Sequence, residues 1–309
     1  MKGLVYKSTG SWYSVKSEDG TIYDCKIRGK LRLENIISTN PVVVGDIVDF
    51  IIENQDTKEI GLIKNIHPRK NYILRKSVNL SKQTHILASN IDLALLVITV
   101  KNPITTTSFI DRFLVSAEAY SIKTLLVFNK IDIYNKQEEA LINELIGIYK
   151  SVGYDYIKTS TYNKIGIDEV KEKIKNKTIM LGGHSGVGKT SIINAIDDSL
   201  NLKVGDISDQ HLQGKHTTTY AELFDIENNS KLIDTPGIKG FGLVNFSKQE
   251  IGDFFPEFLN EKSKCKFNNC LHLNEPKCSV KRKVELGQIS KSRYDNYIRI
   301  IDDDDLKHR

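Results

Sequence analysis

Across 309 residues no apolar run approaches the roughly 20 residues that a membrane-spanning helix needs, so no membrane role is expected. The opening residues, Met1-Lys2-Gly3-Leu4-Val5-Tyr6, lack the apolar stretch of a secretory leader. Cysteine is scarce and unevenly placed: of four, Cys25 stands alone while Cys265, Cys270 and Cys278 cluster. That is not the framework of a secreted disulfide protein, and the expected location is cytoplasmic. Charge of either sign is not in large excess. The 44 Lys+Arg against 39 Asp+Glu leave +5, which permits an acidic partner without demanding one. No internal repeat and no long low-complexity segment is present. What remains is a globular composition, 39% hydrophobic and 27% charged, with chain enough for two or three domains.

The most specific signal is Gly182-Gly183-His184-Ser185-Gly186-Val187-Gly188-Lys189-Thr190. From Gly183 it reads G-x-x-x-x-G-K-T, the phosphate-binding loop of nucleoside triphosphatases. Thr178-Ile179-Met180-Leu181 before it predicts a buried strand, and Ser191 to Ile196 after it predicts the opening of a helix. Glycines let the backbone curl around a phosphate, and the helix N-terminus faces the anion. In this pattern Lys189 reaches the β- and γ-phosphates and the Thr190 hydroxyl binds magnesium.

Residues 1 to about 70 alternate apolar and polar positions, as in Trp12-Tyr13-Ser14-Val15, Ile22 to Ile27, Asp46 to Ile52 and Gly61 to Ile66. Five short strands with turns at 18–20, 40–41, 44–46 and 54–56 predict a Greek-key barrel of the OB type. Lys26, Arg28, Lys30 and Arg32 near aromatics would suit nucleic acid, and equally well a solvated strand face.

Past His67-Pro68-Arg69-Lys70-Asn71 the period changes. Ile91 to Val100 and Thr124 to Phe128 read as strands buried on both faces, with helices over Phe109 to Tyr120 and Gln137 to Ser151. That alternation predicts an α/β domain with a parallel sheet. The second strand runs into Asn129-Lys130-Ile131-Asp132, the N-K-x-D by which GTPases select their base. The Asp132 carboxylate can accept from guanine N1–H and its amino group, and adenine would leave it unpaired. Asn129 would meet the other edge and Lys130 would lie along the ring. Ser160, in Thr159-Ser160-Thr161, fits the next base-contacting loop, although Thr161 stands where alanine is usual.

The order of these parts is rotated. In ordinary GTPases the phosphate loop comes first, whereas here N-K-x-D precedes it. After it come a switch-like Gly214-Lys215-His216-Thr217-Thr218-Thr219 and the strand Lys231 to Asp234 opening Asp234-Thr235-Pro236-Gly237. Asp234 would hold magnesium through water, and the Gly237 amide would meet the γ-phosphate. A sheet does not need its termini at one loop, so the fold expected is a circularly permuted P-loop GTPase. The stretch Ile238 to Leu243 is then both second switch and tether to the C-terminal region.

That region carries Cys265-x4-Cys270-x-His272-x5-Cys278. Three thiolates and an imidazole would close a tetrahedral structural zinc site, one zinc per chain; the competing reading is buried cysteines beside a stray histidine. The flanks are basic, and Val284 to Ile301 reads as one helix. The predicted architecture is therefore multidomain: an OB-type barrel over 1–70, the permuted GTPase over 71–244 and a zinc-binding, mostly helical unit over 245–309.

The combination of barrel, permuted GTPase and this Cys/His spacing resembles the ribosome small subunit-dependent GTPase A (RsgA) family over essentially the whole chain. Arg69-Lys70-Asn71, Asn90-Ile91-Asp92, Asp111-Arg112-Phe113-Leu114 and Lys215 to Thr219 match it too. The resemblance implies hydrolysis of GTP to GDP on the small ribosomal subunit late in its assembly, with the barrel and zinc unit on rRNA, and a monomer. Where Ras-like enzymes place a water-orienting Gln, Ile238 stands, so another group must serve. His216 is the family-like candidate, or else a residue that contacts rRNA or caps its loop. One of Thr217, Thr218 and Thr219 should complete the magnesium shell, Thr218 being preferred. A signalling-type GTPase or an ATPase without ribosomal role is the rival reading. The first leaves barrel and zinc unit without a task, and the second has no use for N-K-x-D.

Overall fold

The computed structural model describes residues 1–27, 41–55, 58–76, 84–200, 221–234, 243 and 246–302. The N-terminal strands are β1 (Lys2–Ser8), β2 (Tyr13–Ser17), β3 (Ile22–Ile27), β4 (Ile47–Gln55) and β5 (Lys58–Ile66). They run in the order β1-β2-β3-β5-β4, and β4 closes back on β1 through Lys2↔Asp49 to Leu4↔Ile47. The β3–β5 pair is parallel and the others are antiparallel, which is the closed five-stranded barrel expected. Alternate side chains fill it: Val5, Tyr13, Val15, Cys25, Val48, Phe50 and Ile63. Cys25, solitary in sequence, is thus a core residue. Its sulfur lies where a side chain on Gly61 would have to go, 2.2 Å from the Cβ position. Burial pushes its thiol up to about 12, which leaves it inert.

A hairpin, β6 (Tyr72–Lys76) with β7 (Thr84–Ser89), follows the barrel; nothing in the strand-like patterning of the sequence marked it. The central sheet then runs β10 (Asp155–Lys158), β9 (Lys123–Phe128), β8 (Leu93–Ile98), β11 (Thr178–Gly182), β13 (Ser230–Asp234) and β12 (Glu222–Ile226). The first five are parallel and β12 is antiparallel. Every residue of β8 is buried, as the unbroken apolar run predicts. Leu93, Leu95 and Val97 face α3 (Ile167–Ile174) and α4 (Lys189–Ile196). Ala94, Leu96 and Ile98 face α1 (Thr107–Ala119) and α2 (Lys136–Ser151). The helices change face between β8 and β11, and at such a switch point the carboxyl ends of the strands leave a crevice for ligands.

The C-terminal unit holds α5 (Lys248–Asp253), α6 (Pro256–Lys262), α7 (Ser279–Glu285) and α8 (Lys291–Asp302). The single helix expected over Val284 to Ile301 is two helices. The chain turns at Gly287, which has φ 69° and donates its N–H to Val284. Ile289 goes into the core in that turn, so burial of one apolar side chain wins over helix continuity. Phe255, Phe258, Val280, Tyr297, Ile300 and Ile301 pack together and onto Val115 of α1. Among the described residues no helix is long and apolar enough to cross a membrane.

Candidate nucleotide site and metal centre

The phosphate loop joins β11 to α4, in the strand–turn–helix context its sequence requires. Two of its glycines are dictated by neighbours. Gly183 has φ 132°, and a Cβ there would sit 2.6 Å from the Val97 carbonyl of β8. Gly188 has φ 98°, and its Cβ would sit 2.4 Å from Nδ2 of Asn129. Lys189 Nζ donates to the Gly183 and His184 carbonyls at 2.9 and 2.8 Å, so the ammonium lies over the loop, and Thr190 is buried beside it. The His184 ring packs against Phe109 of α1, tilted by 34° with centroids 3.9 Å apart. Parallel pairing of β13 with β11, ending at Met180↔Ile233, carries Asp234 to the same end of the sheet.

The base motif leaves β9 toward this loop. Asn129 is buried; its amide donates to the Val187 carbonyl at 2.9 Å and accepts from the Thr159 hydroxyl at 3.0 Å. Its side chain is therefore a strut between base motif and phosphate loop. Lys130 has a left-handed φ of 64° and donates to the carbonyls of Asn102 (2.6 Å) and Gly186 (2.7 Å). Asp132 is exposed, with one oxygen held by the Ser160 hydroxyl at 2.5 Å and the other open. Ser160 is itself fixed by paired backbone bonds with Ile165, both 3.0 Å. A carboxylate held in this way is preorganised to accept from a base. Ile131, between them, is half-buried and packs on the core. Hydrogen bonds thus bring Asn129, Lys130, Asp132 and Ser160 together with the phosphate loop, across up to 58 positions of chain.

The cysteine cluster converges as well. One ligand atom each from Cys265, Cys270, His272 and Cys278 lie within 4.8 Å of one another. His272 Nδ1 is 3.3 Å from the Cys278 sulfur and 3.7 Å from that of Cys265, and those two sulfurs are 4.0 Å apart. Ligands around a tetrahedral zinc with bonds of about 2.3 Å would be roughly 3.8 Å apart, so the spacing fits one ion. No cysteine is in a disulfide. Burial pushes the Cys270 thiol up to about 12, the cost that a cation in the centre would offset. The Ser279 and Lys281 amides donate to the sulfurs of Cys265 and Cys278, both at 3.4 Å, and support thiolate charge. Outside this set, the Tyr294 hydroxyl holds the His272 carbonyl at 2.6 Å, and Phe258 and Tyr297 wall the ring.

The model of the RsgA GTPase family matches residues 66–244, and that of the RsgA N-terminal domain matches residues 2–61. The chain belongs to the RsgA GTPase family. The small ribosomal subunit biogenesis GTPase RsgA of Christiangramia forsetii is 55% identical over 100% of this chain and 98% of its own length. That of Porphyromonas gingivalis is 45% identical over 99% and 98%. Among solved structures, YjeQ from Thermotoga maritima is 34% identical with a TM-score of 0.79, covering 100% of this chain and 99% of that one. YloQ, described as a circularly permuted GTPase, is 29% identical with a TM-score of 0.74 over 99% and 94%. Membership makes the chain a GTP-hydrolysing enzyme with permuted motifs.

Several stretches that resemble other RsgA proteins turn out to hold units together. Arg69 pairs with fully buried Asp46 of the barrel, Nε and Nη2 each at 2.6 Å, and also reaches the Pro41 carbonyl. Asn71 clamps Ile91, donating to its carbonyl and accepting from its amide, both at 2.8 Å. Asp92 accepts from Lys70 Nζ at 2.6 Å and from the Thr178 amide at 2.8 Å. Asp111 of α1, also fully buried, meets Arg293 of α8 at 2.6 Å. Of the residues singled out in the sequence, His216, Thr217, Thr218, Thr219, Gly237, Ile238, Arg28, Lys30 and Arg32 lie outside the described residues.

Proposed function

We propose that this chain hydrolyses GTP to GDP while docked on the small ribosomal subunit, as a late maturation factor. The carrying observation is that a phosphate loop joined to a base motif, and a separately gathered Cys/His centre, occur in a chain that is similar over its full length to proteins named as small-subunit biogenesis GTPases. Gly182 to Thr190 would cradle the phosphates, with Lys189 on the β- and γ-groups, and Asp132 with Ser160 would read guanine. Thr190, Asp234 and Thr218 would hold magnesium. When bound with the nucleotide, that ion neutralises charge on the phosphates. His216 would orient the attacking water, the role that Ile238 cannot fill. The Cys265, Cys270, His272 and Cys278 set would hold zinc, and having no open position it would serve folding rather than chemistry. The barrel (1–70) and the zinc unit (245–309) would meet rRNA on either side of the GTPase unit (71–244). The protein would work as a cytoplasmic monomer.

Co-sedimentation with small subunits tests the role. Binding with a non-hydrolysable GTP analogue should exceed binding with GDP by roughly 5- to 150-fold, a typical coupling. No binding in either state would remove the ribosomal role and leave the GTPase.

The metal assignment has its own test. Cys270→Ser should lower metal content well below one per chain and unfold 265–278, while GDP binding survives. One tightly bound zinc in a Cys265, Cys270 double replacement would sink it.

A further inference from the structure

The loop between β8 and α1 carries no recognised motif, yet it walls the base-binding residues from a third side. It is folded on itself: the Thr105 amide donates to the Thr99 carbonyl at 2.8 Å, and the Thr99 hydroxyl to the Pro103 carbonyl at 2.6 Å. Two bridges tie it to the base motif. One is Lys130 Nζ on the Asn102 carbonyl, already described. The other is Tyr134, whose hydroxyl donates to the Asn129 carbonyl at 2.8 Å and accepts from the Val100 amide at 3.3 Å. Tyr134 is only 9% exposed, and its ring belongs to the core under α1 and α2.

We propose that Tyr134 is a positioning residue for guanine selection, its hydroxyl fixing the Asn129 peptide and hence Asp132 against the Val100–Asn102 loop. The proposal rests on the reading of Asp132 as the base-contacting acid. The peptide after Asn129 leads into the left-handed Lys130, so its orientation is not set by a strand ladder. The short 3-10 turn Ile131–Ile133 then carries Asp132, which leaves one rigid turn between the hydroxyl's grip and the carboxylate. Burial, reinforced by the nearby Glu138 and Asp132 carboxylates, pushes the Tyr134 phenol up to about 12. It stays a proton donor throughout the physiological range.

Tyr134→Phe keeps the ring and leaves the Asn129 carbonyl and the Val100 amide unpaired. Without nucleotide the loop can open to hydrate both groups; binding the base must close it again. The cost therefore falls on the base: the hydroxyl grips the Asn129 backbone carbonyl, whereas the phosphate loop is held by the Asn129 side-chain amide and by Lys130, which the substitution leaves in place.

The test measures GDP and ADP affinity, GDP dissociation and steady-state kinetics in wild type, Tyr134→Phe and Asp132→Asn. In Tyr134→Phe, GDP should bind about tenfold more weakly and dissociate correspondingly faster, the loss appearing in KM for GTP rather than in kcat. ADP affinity should hold, so that discrimination falls by the same factor. The GDP-induced rise in melting temperature reads the same affinity should the variant be less stable. GDP affinity within twofold of wild type, or equal weakening of GDP and ADP, overturns the proposal. Unchanged discrimination in Asp132→Asn as well would overturn the underlying base-site reading instead.

Discussion

Arg293→Ala is expected to destabilise the fold by about 3–5 kcal/mol, the cost of leaving buried charges without their partner. Arg293 is fully buried and is shared between two acids. Its Nη1 meets Asp111 at 2.6 Å, and its Nε and Nη2 make a fork with Glu257 of α6. Its guanidinium also lies 5.0 Å from the Phe255 ring centroid and 5.6 Å from that of Tyr149. Truncation removes the shared cation, strands two carboxylates and opens a cavity between α1 and α8. Asp111 would keep the Asn296 amide, at 2.6 Å, as a partial substitute. Burial already raises the Asp111 carboxyl above its usual range, and Arg293 opposes that shift. A carboxyl whose folded pKa is raised binds more protons folded than unfolded, so it favours the fold below the raised value and loses that favour as pH rises. Without Arg293 the shift grows, so the deficit should be larger at pH 7 than at pH 5. Denaturant unfolding of both proteins at the two pH values measures it. A loss under about 1 kcal/mol, or one independent of pH, would show that the pair is not what joins α1 to α8.

Which features could be read from the sequence follows the distance over which their causes act. The phosphate loop and N-K-x-D are local: backbone shape and side chains lie within nine and four residues, and the flanking strands betray themselves by unbroken apolar runs. The Cys/His metal-binding set falls within fourteen residues. The barrel is legible because alternation over Tyr13–Ser17 or Ile47–Gln55 reports one wet and one dry face. Arg293 and Asp111, 182 residues apart, offer no such cue, since each alone looks like an ordinary helix charge. Arg69 and Asp46 are the same case over 23 residues. The β6–β7 hairpin offers no such cue, because Tyr72-Ile73-Leu74-Arg75-Lys76 runs three apolar residues into two basic ones instead of alternating. Tyr134 hides for another reason: its value lies in a hydroxyl bridging two backbone groups, and Tyr at that position reads merely as an apolar residue ahead of a helix. The long-range pair also changes the view of the tether. The C-terminal unit is anchored through α1, whose Phe109 touches the phosphate loop at His184, and not solely through the stretch after Gly237.

Gly188→Ala should weaken GTP and GDP binding by roughly 30-fold or more, with little effect on overall stability. The backbone there stands at φ 98° and ψ 24°, a region that costs an L-residue about 1–3 kcal/mol. The new methyl would also meet Asn129 Nδ2 at 2.4 Å, well inside contact distance. Asn129 cannot step aside freely, because the Val187 carbonyl and the Thr159 hydroxyl hold its two ends. Overpacking of that kind adds about 1–3 kcal/mol unless the loop relaxes. Relaxation is open to a nucleotide-free loop, so the fold survives; it is closed to a loop that must wrap phosphates. The sum of about 2–6 kcal/mol corresponds to a loss of roughly 30-fold at the least, rising past a thousandfold. Gly147→Ala is the matched control. That glycine is exposed in the middle of α2, with nothing within 4 Å of its Cβ position. Alanine there should stabilise the helix by up to about 1 kcal/mol and leave nucleotide affinity unchanged. Titration of a fluorescent GDP analogue, with melting curves of the nucleotide-free proteins, reads both. Affinity of Gly188→Ala within threefold of wild type would mean that this loop and the base motif are not joined at Asn129.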